Sequence, residues 1–244
     1  GVNTSSISDI GRVDGLFAFK DESFNKMRIF TNNGSLKNCF DEFFKKCASF
    51  DAVICSNDFA AVSLIRNLLK IAPDELNRLK ILSCAQTKLS GYYKNMLTSV
   101  NMNFEQYGKA AVFIYEKLKA HPYMSGITVT VKWTGENEKT PQHKTVTVNN
   151  SESGYEFYAD GDMRNMLTAE QILNTCSDSD RLIIMSLISG MTIEETAGHC
   201  FLTEGGVKYR IKRILNECKL SDKSELLTLL KDYLNPIIPK TPEL

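Results

Sequence analysis

The feature that most constrains the fold is an alternation, from residue 8 to about 120, between short apolar runs and longer stretches with helical periodicity. Four of the short runs are predicted to be strands, namely "KMRIF", "DAVICS", "LKILSC" and "LTSVNM". Strands that alternate with helical stretches are typical of parallel sheets with crossover helices. Right-handed crossovers would place the four strands in one sheet covered on both faces, with "DAVICS" as a buried strand.

The stretches around these runs predict amphipathic helices. "DIGRVDGLFAFKD" precedes the first strand, "LKNCFDEFFKKCASF" and "DFAAVSLIRNLLKIA" flank the second, and "FEQYGKAAVFIYEKLKAH" follows the fourth. The second of these helices carries an apolar side formed by Leu36, Phe40, Phe43, Phe44 and Cys47. Such spacing is expected of a stripe that faces a core. The first part of the chain is therefore predicted to be an α/β unit with a parallel sheet.

The pattern changes after this unit. "ITVTVKW" and "KTVTVNN" alternate β-branched with polar residues, as antiparallel strands or a hairpin do. From residue 164 onward the sequence predicts only helices, with capping boxes at "TAEQ" and "TIEE". These helices are predicted at about 169–176, 179–189, 193–199, 204–216 and 223–234. We therefore divide the chain into the α/β unit at 1–135, a β-rich linker at 136–163 and an all-α four-helix unit at 164–244.

The all-α unit contains a helix-turn-helix pattern. A helix ends at Gly190, a short helix follows, and a three-residue turn at Cys200–Leu202 leads into a longer helix. Thr203 is well placed to cap that longer helix. Two helices joined by such a short turn are the arrangement that DNA-binding proteins use to present a recognition helix.

The longer helix combines an apolar face with a cationic one. Its outward face is predicted to carry Lys208, Arg210 and Lys212, with Arg213 nearby. From residue 203 to 215 four Lys or Arg stand against one Glu, a local charge of +3, whereas residues 164–235 hold nine against ten, a charge of −1. A localised cationic face on a nearly neutral unit predicts contact with a phosphate backbone.

Composition excludes several other classes of protein. The chain has zero formal net charge, with 43% hydrophobic and 24% charged residues, which is typical of a globular protein with a real core. No apolar run is long enough to span a bilayer, and the first residues do not have the pattern of a signal peptide. We therefore expect a cytoplasmic protein without membrane contact. Seven cysteines without a CxxC spacing and three scattered histidines predict no metal site, and no cofactor motif is present.

Residues 166–234 resemble the LuxR/GerE-type helix-turn-helix domain. The likeness rests on "LTAEQ", "DRLIIMSLISGMTIEETA", "FLTEGGVKYRIKRI" and "LSDKSELLTLL", in which "VK" is the most recognisable pair. The family usually has threonine where this chain has Gly206. The resemblance implies a homodimer that pairs through the last helix on a two-fold DNA site. It also implies DNA contacts from Lys208, Tyr209 and Lys212, and phosphate contacts from Thr203 and Arg213.

Residues 10–120 resemble the second lobe of the LacI/periplasmic-binding-protein-like sensor fold. "GRVDGLFAF", "FDAVICSNDFAAVSLIRNL" and "LTSVNMNFEQYGKAAVFIYEKL" carry the likeness, and by it Arg12 and Asn57 would contact a ligand, with Asp58 capping the following helix. Asn57 and Asp58 also follow a strand end, where open parallel sheets bind ligands, although Asn-Asp before a helix is equally an ordinary N-cap. Only one lobe is visible, so the first lobe of a two-lobed clamp either precedes Gly1 in the natural protein, which we expect to begin earlier, or is absent altogether.

These observations predict a transcription regulator that binds double-stranded DNA and responds to a small-molecule effector. The alternative is a response regulator whose first domain is a receiver with Asp58 as phospho-acceptor. A receiver needs an acidic pair for magnesium, for which the early segment offers only Asp9 and Asp14 in a helical context. An enzyme is not expected, because nucleophiles such as Cys55 or Ser83 have no histidine in a partner motif.

Overall fold

The protein is a mixed α/β structure that is mostly helical, with one small parallel sheet. The computed structural model describes residues 1–18, 27–32, 34–131 and 159–234. Within these ranges the sheet has three strands in the order β1-β2-β3, all parallel. The strands are β1 (Ala52–Ile54), β2 (Lys80–Cys84) and β3 (Thr98–Val100). The prediction of a parallel sheet is confirmed in this part of the chain.

The first predicted strand, "KMRIF", does not join that sheet. Its described residues, 27–30, form no strand, and the chain beside them makes only an isolated bridge between Val2 and Thr31. The Phe30 ring instead packs edge-on against Phe43, with the ring centroids 5.5 Å apart. Aromatic packing rather than a strand ladder therefore holds this segment.

Six α-helices accompany the strands in the described residues of the first part. They are α1 (Ile7–Ala18), α2 (Leu36–Phe44), α3 (Asp58–Ile71), α4 (Pro73–Arg78), α5 (Lys88–Gly91) and α6 (Phe104–Ala120), and a 3₁₀ turn lies at Cys47–Ser49. Ser35 begins α2 by accepting a hydrogen bond from the Asn38 amide, and Asn57 begins α3 in the same way. The predicted core stripe of α2 is buried except for Phe44.

One face of the sheet is open among the described residues, which corrects the prediction of a sheet covered on both sides. Ile54 lies opposite Leu82 in the parallel register, and Leu82 lies opposite Thr98, so the three share a face. Ile54 is 60% exposed, and Leu82 and Thr98 are exposed as well. The other face, which includes Ile81 and is packed against α3, is buried. The long helix predicted after β3 is present as α6, and it buries none of its residues.

Five further α-helices follow in the described residues from 159 to 234. They are α7 (Gly161–Thr175), α8 (Asp178–Ile188), α9 (Ile193–His199), α10 (Glu204–Cys218) and α11 (Lys223–Leu234). Residues 127–131 carry no strand, and the remainder of the predicted hairpin lies outside the described residues. No helix in the described part of the chain has the length and apolar character needed to span a membrane.

The start of α7 differs from the prediction. Asp160 caps this helix by accepting a hydrogen bond from the Asp162 amide, so α7 begins eight residues before the predicted position near 169. Thr168 lies inside α7, where its hydroxyl donates to the Arg164 carbonyl. The predicted capping box at Thr168 is therefore wrong, because its hydroxyl is used within the helix.

Helix α7 lies between the α/β part and the other helices. Its buried side chains belong to a core that extends without interruption from α2 to α11. The members of this core from α7 are Met163, Met166, Ala169, Ile172 and Leu173. Polar contacts add to the packing, since both Glu170 carboxylate oxygens accept backbone amide hydrogens at the start of α5, from Lys88 at 2.9 Å and from Leu89 at 2.7 Å. The two parts of the chain thus share one core.

A polar cluster reinforces this junction at its far end. The Asp162 carboxylate accepts hydrogen bonds from Arg66 at 2.9 Å, from Ser63 at 3.0 Å and from the Tyr233 hydroxyl at 2.8 Å. The Arg66 guanidinium also lies 3.9 Å from the centre of the Tyr233 ring, and the Tyr93 hydroxyl donates to the Tyr233 carbonyl. The end of α11 is thereby fixed to α3 of the α/β part.

Candidate nucleic-acid interface

Helices α9 and α10 are joined by a short turn and have well-defined ends. Thr192 and Glu195 make the capping box predicted for α9, with the Glu195 amide donating to the Thr192 hydroxyl at 3.2 Å and the Thr192 amide donating to the Glu195 carboxylate at 2.7 Å. The predicted turn at residues 200–202 is also present, and the Leu202 amide donates to the Ala197 carbonyl at 2.9 Å. These local bonds fix the direction in which α10 leaves the turn.

The turn presents a side chain that the sequence did not single out. Phe201 has φ of +55°, in the left-handed region, and its side chain is 96% exposed. A left-handed non-glycine residue costs about 1 kcal/mol, and a fully exposed phenyl ring forgoes the free energy of burial. No pattern in the sequence distinguishes this phenylalanine from a core residue. It stands three residues before α10, next to the cationic face.

Thr203 caps α10 as predicted, because its hydroxyl accepts a hydrogen bond from the Gly206 amide at 3.1 Å. The first turn of the helix then carries Glu204, Gly205 and Gly206. A Cβ atom on Gly206 would meet the Thr203 hydroxyl oxygen at 3.4 Å, so the close neighbour of that position is the cap itself. With two glycines, the first turn offers little side-chain bulk to anything that approaches its backbone amides.

The apolar side of α10 determines which residues face outward. Val207 and Ile211 are buried in a cluster with residues of α8 and α9. Ile214 is buried in the large core shared with α7 and α11. On the opposite side Lys208 and Lys212 are exposed, and Tyr209 is 70% exposed. The predicted outward position is confirmed for Lys208 and Lys212, but Arg210, which was predicted on the same face, is half-buried against α8.

Lys208 and Lys212 are the cations of α10 that remain most available. The Lys208 ammonium lies 3.0 Å from the Glu204 carboxylate, but both side chains are largely exposed. Such surface pairs contribute between zero and about 1 kcal/mol, so a phosphate can displace this one. No carboxylate in the described parts of the chain lies within ion-pair distance of Lys212.

Arg210 and Arg213 are both bound to Asp180 of α8. An Arg210 nitrogen lies 2.9 Å from one Asp180 oxygen, and an Arg213 nitrogen lies 2.5 Å from the other. Asp180 is fully buried, and it also completes a capping box with Ser177. The two arginines therefore hold α10 against α8, and Arg213, predicted to contact a phosphate, is engaged within the chain. The pattern Ser-x-x-Asp at 177–180 could have revealed the cap, but nothing local reveals the pairing.

The electrostatics of Asp180 follow from these contacts. Burial opposes ionisation of its carboxyl, but hydrogen bonds from Ser177 and Arg210 and the charge of Arg213 outweigh burial. Together they lower the pKa of Asp180 from 3.8 to about 2. The folded state therefore favours the ionised carboxylate more strongly than the unfolded chain does.

Replacing Asp180 with asparagine should destabilise the fold by about 2 kcal/mol at pH 7, because two guanidinium groups lose their anionic partner. The stabilisation that the ionised Asp180 carboxylate gives is fully present above its pKa in the unfolded chain. It is lost as the pH falls through the lower pKa of Asp180 in the folded protein. The difference from the parent protein should therefore narrow between pH 4 and pH 2. Urea unfolding of both proteins at pH 7 and pH 3 measures it. A difference that stays constant over that range would contradict the assignment.

Arg12, Asn57 and Asp58, the residues predicted to bind a ligand, gather near Cys84 at the carboxyl end of β2. Burial raises the pKa of the Cys84 thiol, while the nearby charge of Arg12 lowers it and that of Asp58 raises it. Each predicted residue is nevertheless engaged within the chain. Asn57, and not Asp58 as predicted, caps α3 by accepting the Ala60 amide hydrogen, and Arg12 pairs with Asp9 at 2.9 Å.

Asp58 is the most constrained of these residues. It is fully buried, and its two carboxylate oxygens accept hydrogen bonds from the hydroxyls of Ser83 and Ser99 and from the Thr87 amide. Burial disfavours its ionised form, but the hydrogen bonds from Ser83, Ser90, Ser99 and Thr87 lower its pKa overall. The carboxylate joins the ends of β2 and β3 to α3, and it presents no open oxygen to an incoming phosphoryl group.

Replacing Asp58 with alanine should destabilise the fold by about 3 kcal/mol, because buried donors lose their shared acceptor. Asn57 provides a matched comparison, since Asn57→Ala removes only a helix cap and should cost about 1 kcal/mol. Chemical unfolding followed by circular dichroism measures both values. Equal stability of Asp58→Ala and the parent protein would show that this carboxylate is free for another role.

The described residues contain no group of three or more His, Cys, Asp or Glu side chains that could hold a metal ion. A comparison of the sequence with protein-family models found no match, and a comparison with curated proteins found none at the significance required.

Proposed function

We propose that this chain is a DNA-binding transcription regulator in which α10 lies in the major groove of duplex DNA. The observation that carries the proposal is the exposed side of α10, where Lys208, Tyr209 and Lys212 point away from a core that holds the opposite side of the helix. A helix that follows a three-residue turn and is anchored along one side can enter a groove without unfolding.

The side chains on that surface suit contacts with the phosphate backbone of DNA and with the base edges beside it. The two lysines supply mobile ammonium groups for phosphates, and the exposed phenol of Tyr209 can donate or accept a hydrogen bond. Thr203 and the amides of the first turn lie at the positive end of the helix dipole, where a phosphate oxygen is stabilised. Arg210 and Arg213 take a supporting part, because both are bound to the single Asp180 carboxylate and hold α10 against α8.

The α/β part is proposed as a periplasmic-binding-protein-like sensor that responds to a small effector. The parallel sheet and the polar groups around Cys84 at its carboxyl edge support this reading, since ligands of such sheets bind at that edge. The first residue also lies there, because the Ser56 hydroxyl donates to the Gly1 carbonyl at 2.6 Å. An effector that binds at this edge would act on groups continuous with the shared core.

A response regulator with Asp58 as phospho-acceptor is the less favoured alternative. Its acceptor must be reachable, whereas the Asp58 carboxylate is fully buried and saturated with hydrogen bonds. Incubation with acetyl phosphate, followed by mass spectrometry of the intact chain, separates the two possibilities. We expect no phosphoryl adduct.

Titration of the full chain into a fluorescently labelled mixed-sequence duplex, followed by anisotropy, tests the proposal. Affinity should fall steeply as salt rises, with a slope of log K against log salt of about −2 for each bound chain if two lysines neutralise two phosphates. An affinity that does not depend on salt, or no binding at low salt, would contradict a role for this surface in DNA binding.

A further inference from the structure

The helix α6 is the least buried of the long helices in the described part of the chain. It has 17 residues, none of them buried. One side, which includes Ala110, Ile114 and Leu118, is half-buried, and Ala110 lines a shallow groove shared with Val129 and Val131. A helix that packs so little gains almost no stability from burial within its own chain.

Next to this side, about a third of a turn around α6, lies an exposed apolar stripe, which consists of Phe104, Gly108, Ala111, Val112 and Tyr115. Their spacing of four, three, one and three residues places them on one side of the helix. Phe104 is 62% exposed, Val112 58% and Tyr115 65%, although the Lys119 ammonium lies 5.9 Å from the centre of the Tyr115 ring. Exposed apolar stripes of this length mark interaction sites, because covering them removes a large apolar area from water.

The polar residues beside the stripe are arranged symmetrically about Val112. Glu105 and Lys119 lie seven residues before and after it, on the same side of the helix, as do Lys109 and Tyr115 at three residues. If two copies of α6 lay antiparallel with a two-fold axis at Val112, each Glu105 would face Lys119 of the other copy. Each Lys109 would face a tyrosine ring, and the small Gly108, one turn before Val112, would let the helices approach closely.

The helix that serves dimers in the LuxR-type resemblance is occupied within the chain. Leu226, Leu230, Tyr233 and Leu234 of α11 are all buried in the shared core. The outward side of α11 carries polar residues, among them Lys231 and Asp232. Leu227 and Leu229 are half-buried, so among the described residues α11 offers a second copy less exposed apolar surface than α6 does.

We propose that a second copy of this chain covers the stripe on α6, with the two helices antiparallel about Val112. This inference rests on the proposed function only in what the dimer would be for, because a regulator that binds a two-fold DNA site needs two recognition helices. A 17-residue helix is about 25 Å long, so the contact is smaller than a standard protein interface. The dimer should therefore dissociate at concentrations on the order of micromolar.

Analytical ultracentrifugation of the full chain without DNA, across a range of protein concentrations, tests the pairing. Glu105→Lys alone and Lys119→Glu alone each place like charges opposite one another and should weaken self-association about tenfold or more. The double exchange restores opposite charges and should return the association constant to within about threefold of the parent value. Lys231→Glu on α11 is the matched control and should leave association unchanged.

Circular dichroism confirms that each variant keeps its helices, because Glu105→Lys also removes the pair with Lys109 inside α6. A chain that stays monomeric at every concentration would overturn the proposal. Loss of association in Lys231→Glu together with normal association in both single α6 variants would overturn it as well. Since no DNA is present, either outcome leaves the DNA-binding proposal to its own test.

Discussion

Replacing Lys208 and Lys212 together with glutamine should weaken binding to duplex DNA by about 30-fold to 100-fold near 0.1 M salt. Each lysine that neutralises a phosphate releases a condensed counterion, and glutamine removes the charge while keeping a polar side chain only one atom shorter. The slope of log K against log salt should become shallower by about 2 for each bound chain. Fluorescence anisotropy with one labelled duplex at several salt concentrations gives both numbers.

The matched control changes the same charge on another helix. Lys223 and Lys231 are exposed on α11, so Lys223→Gln/Lys231→Gln alters the net charge equally while leaving α10 intact. This variant should keep nearly the parent slope. If the two double variants lost affinity and slope to the same extent, binding would reflect the overall charge of the protein and not the outward side of α10.

Replacing Met166 with alanine should destabilise the whole chain by about 3 kcal/mol. Met166 is fully buried in α7, where the α/β part and the helical part share one core. The cavity left by the substitution therefore removes packing contacts from both parts. Because the core is continuous, the two parts should unfold in a single transition, and that transition should move to lower denaturant with little change in its slope. Urea unfolding followed by circular dichroism measures both effects.

Met124→Ala makes the same chemical change at an exposed position and should alter stability by less than about 0.5 kcal/mol. Two separate transitions in the parent protein, with only one of them displaced by Met166→Ala, would show that the parts fold independently. The shared core would then be a contact between separate domains and not a common unit.

The helices from α8 onward could be predicted to within about two residues because their signals are local. Thr192 with Glu195 and Thr203 with the following glycines each specify a helix start within four residues of sequence. The start of α7 was missed for the same reason, because Thr168 has the local form of a cap while the true cap, Asp160, lies outside the apolar pattern. Local chemistry identifies a cap only where no other cap competes.

The features that sequence reasoning missed depend on distant residues. The apolar character of Ile54 indicates burial, but its exposure depends on whether another element covers that face of the sheet. Arg210 and Arg213 belong to a cationic run, yet their pairing depends on Asp180, which lies 30 and 33 residues away. A run of charges in sequence therefore overstates the charge that a surface offers to a partner, because part of it is used inside the chain.

The most direct test of the central claim is to follow glycine amide signals by NMR while duplex DNA is added to protein labelled with ¹⁵N only at glycine. Gly205 and Gly206 lie in the first turn of α10, whereas Gly91 lies in α5, in the other part of the chain. If α10 enters a groove, the Gly205 and Gly206 signals should shift in proportion to bound DNA, and the Gly91 signal should keep its position. Unchanged signals from Gly205 and Gly206 in a DNA complex, with Gly91 shifted instead, would contradict the account.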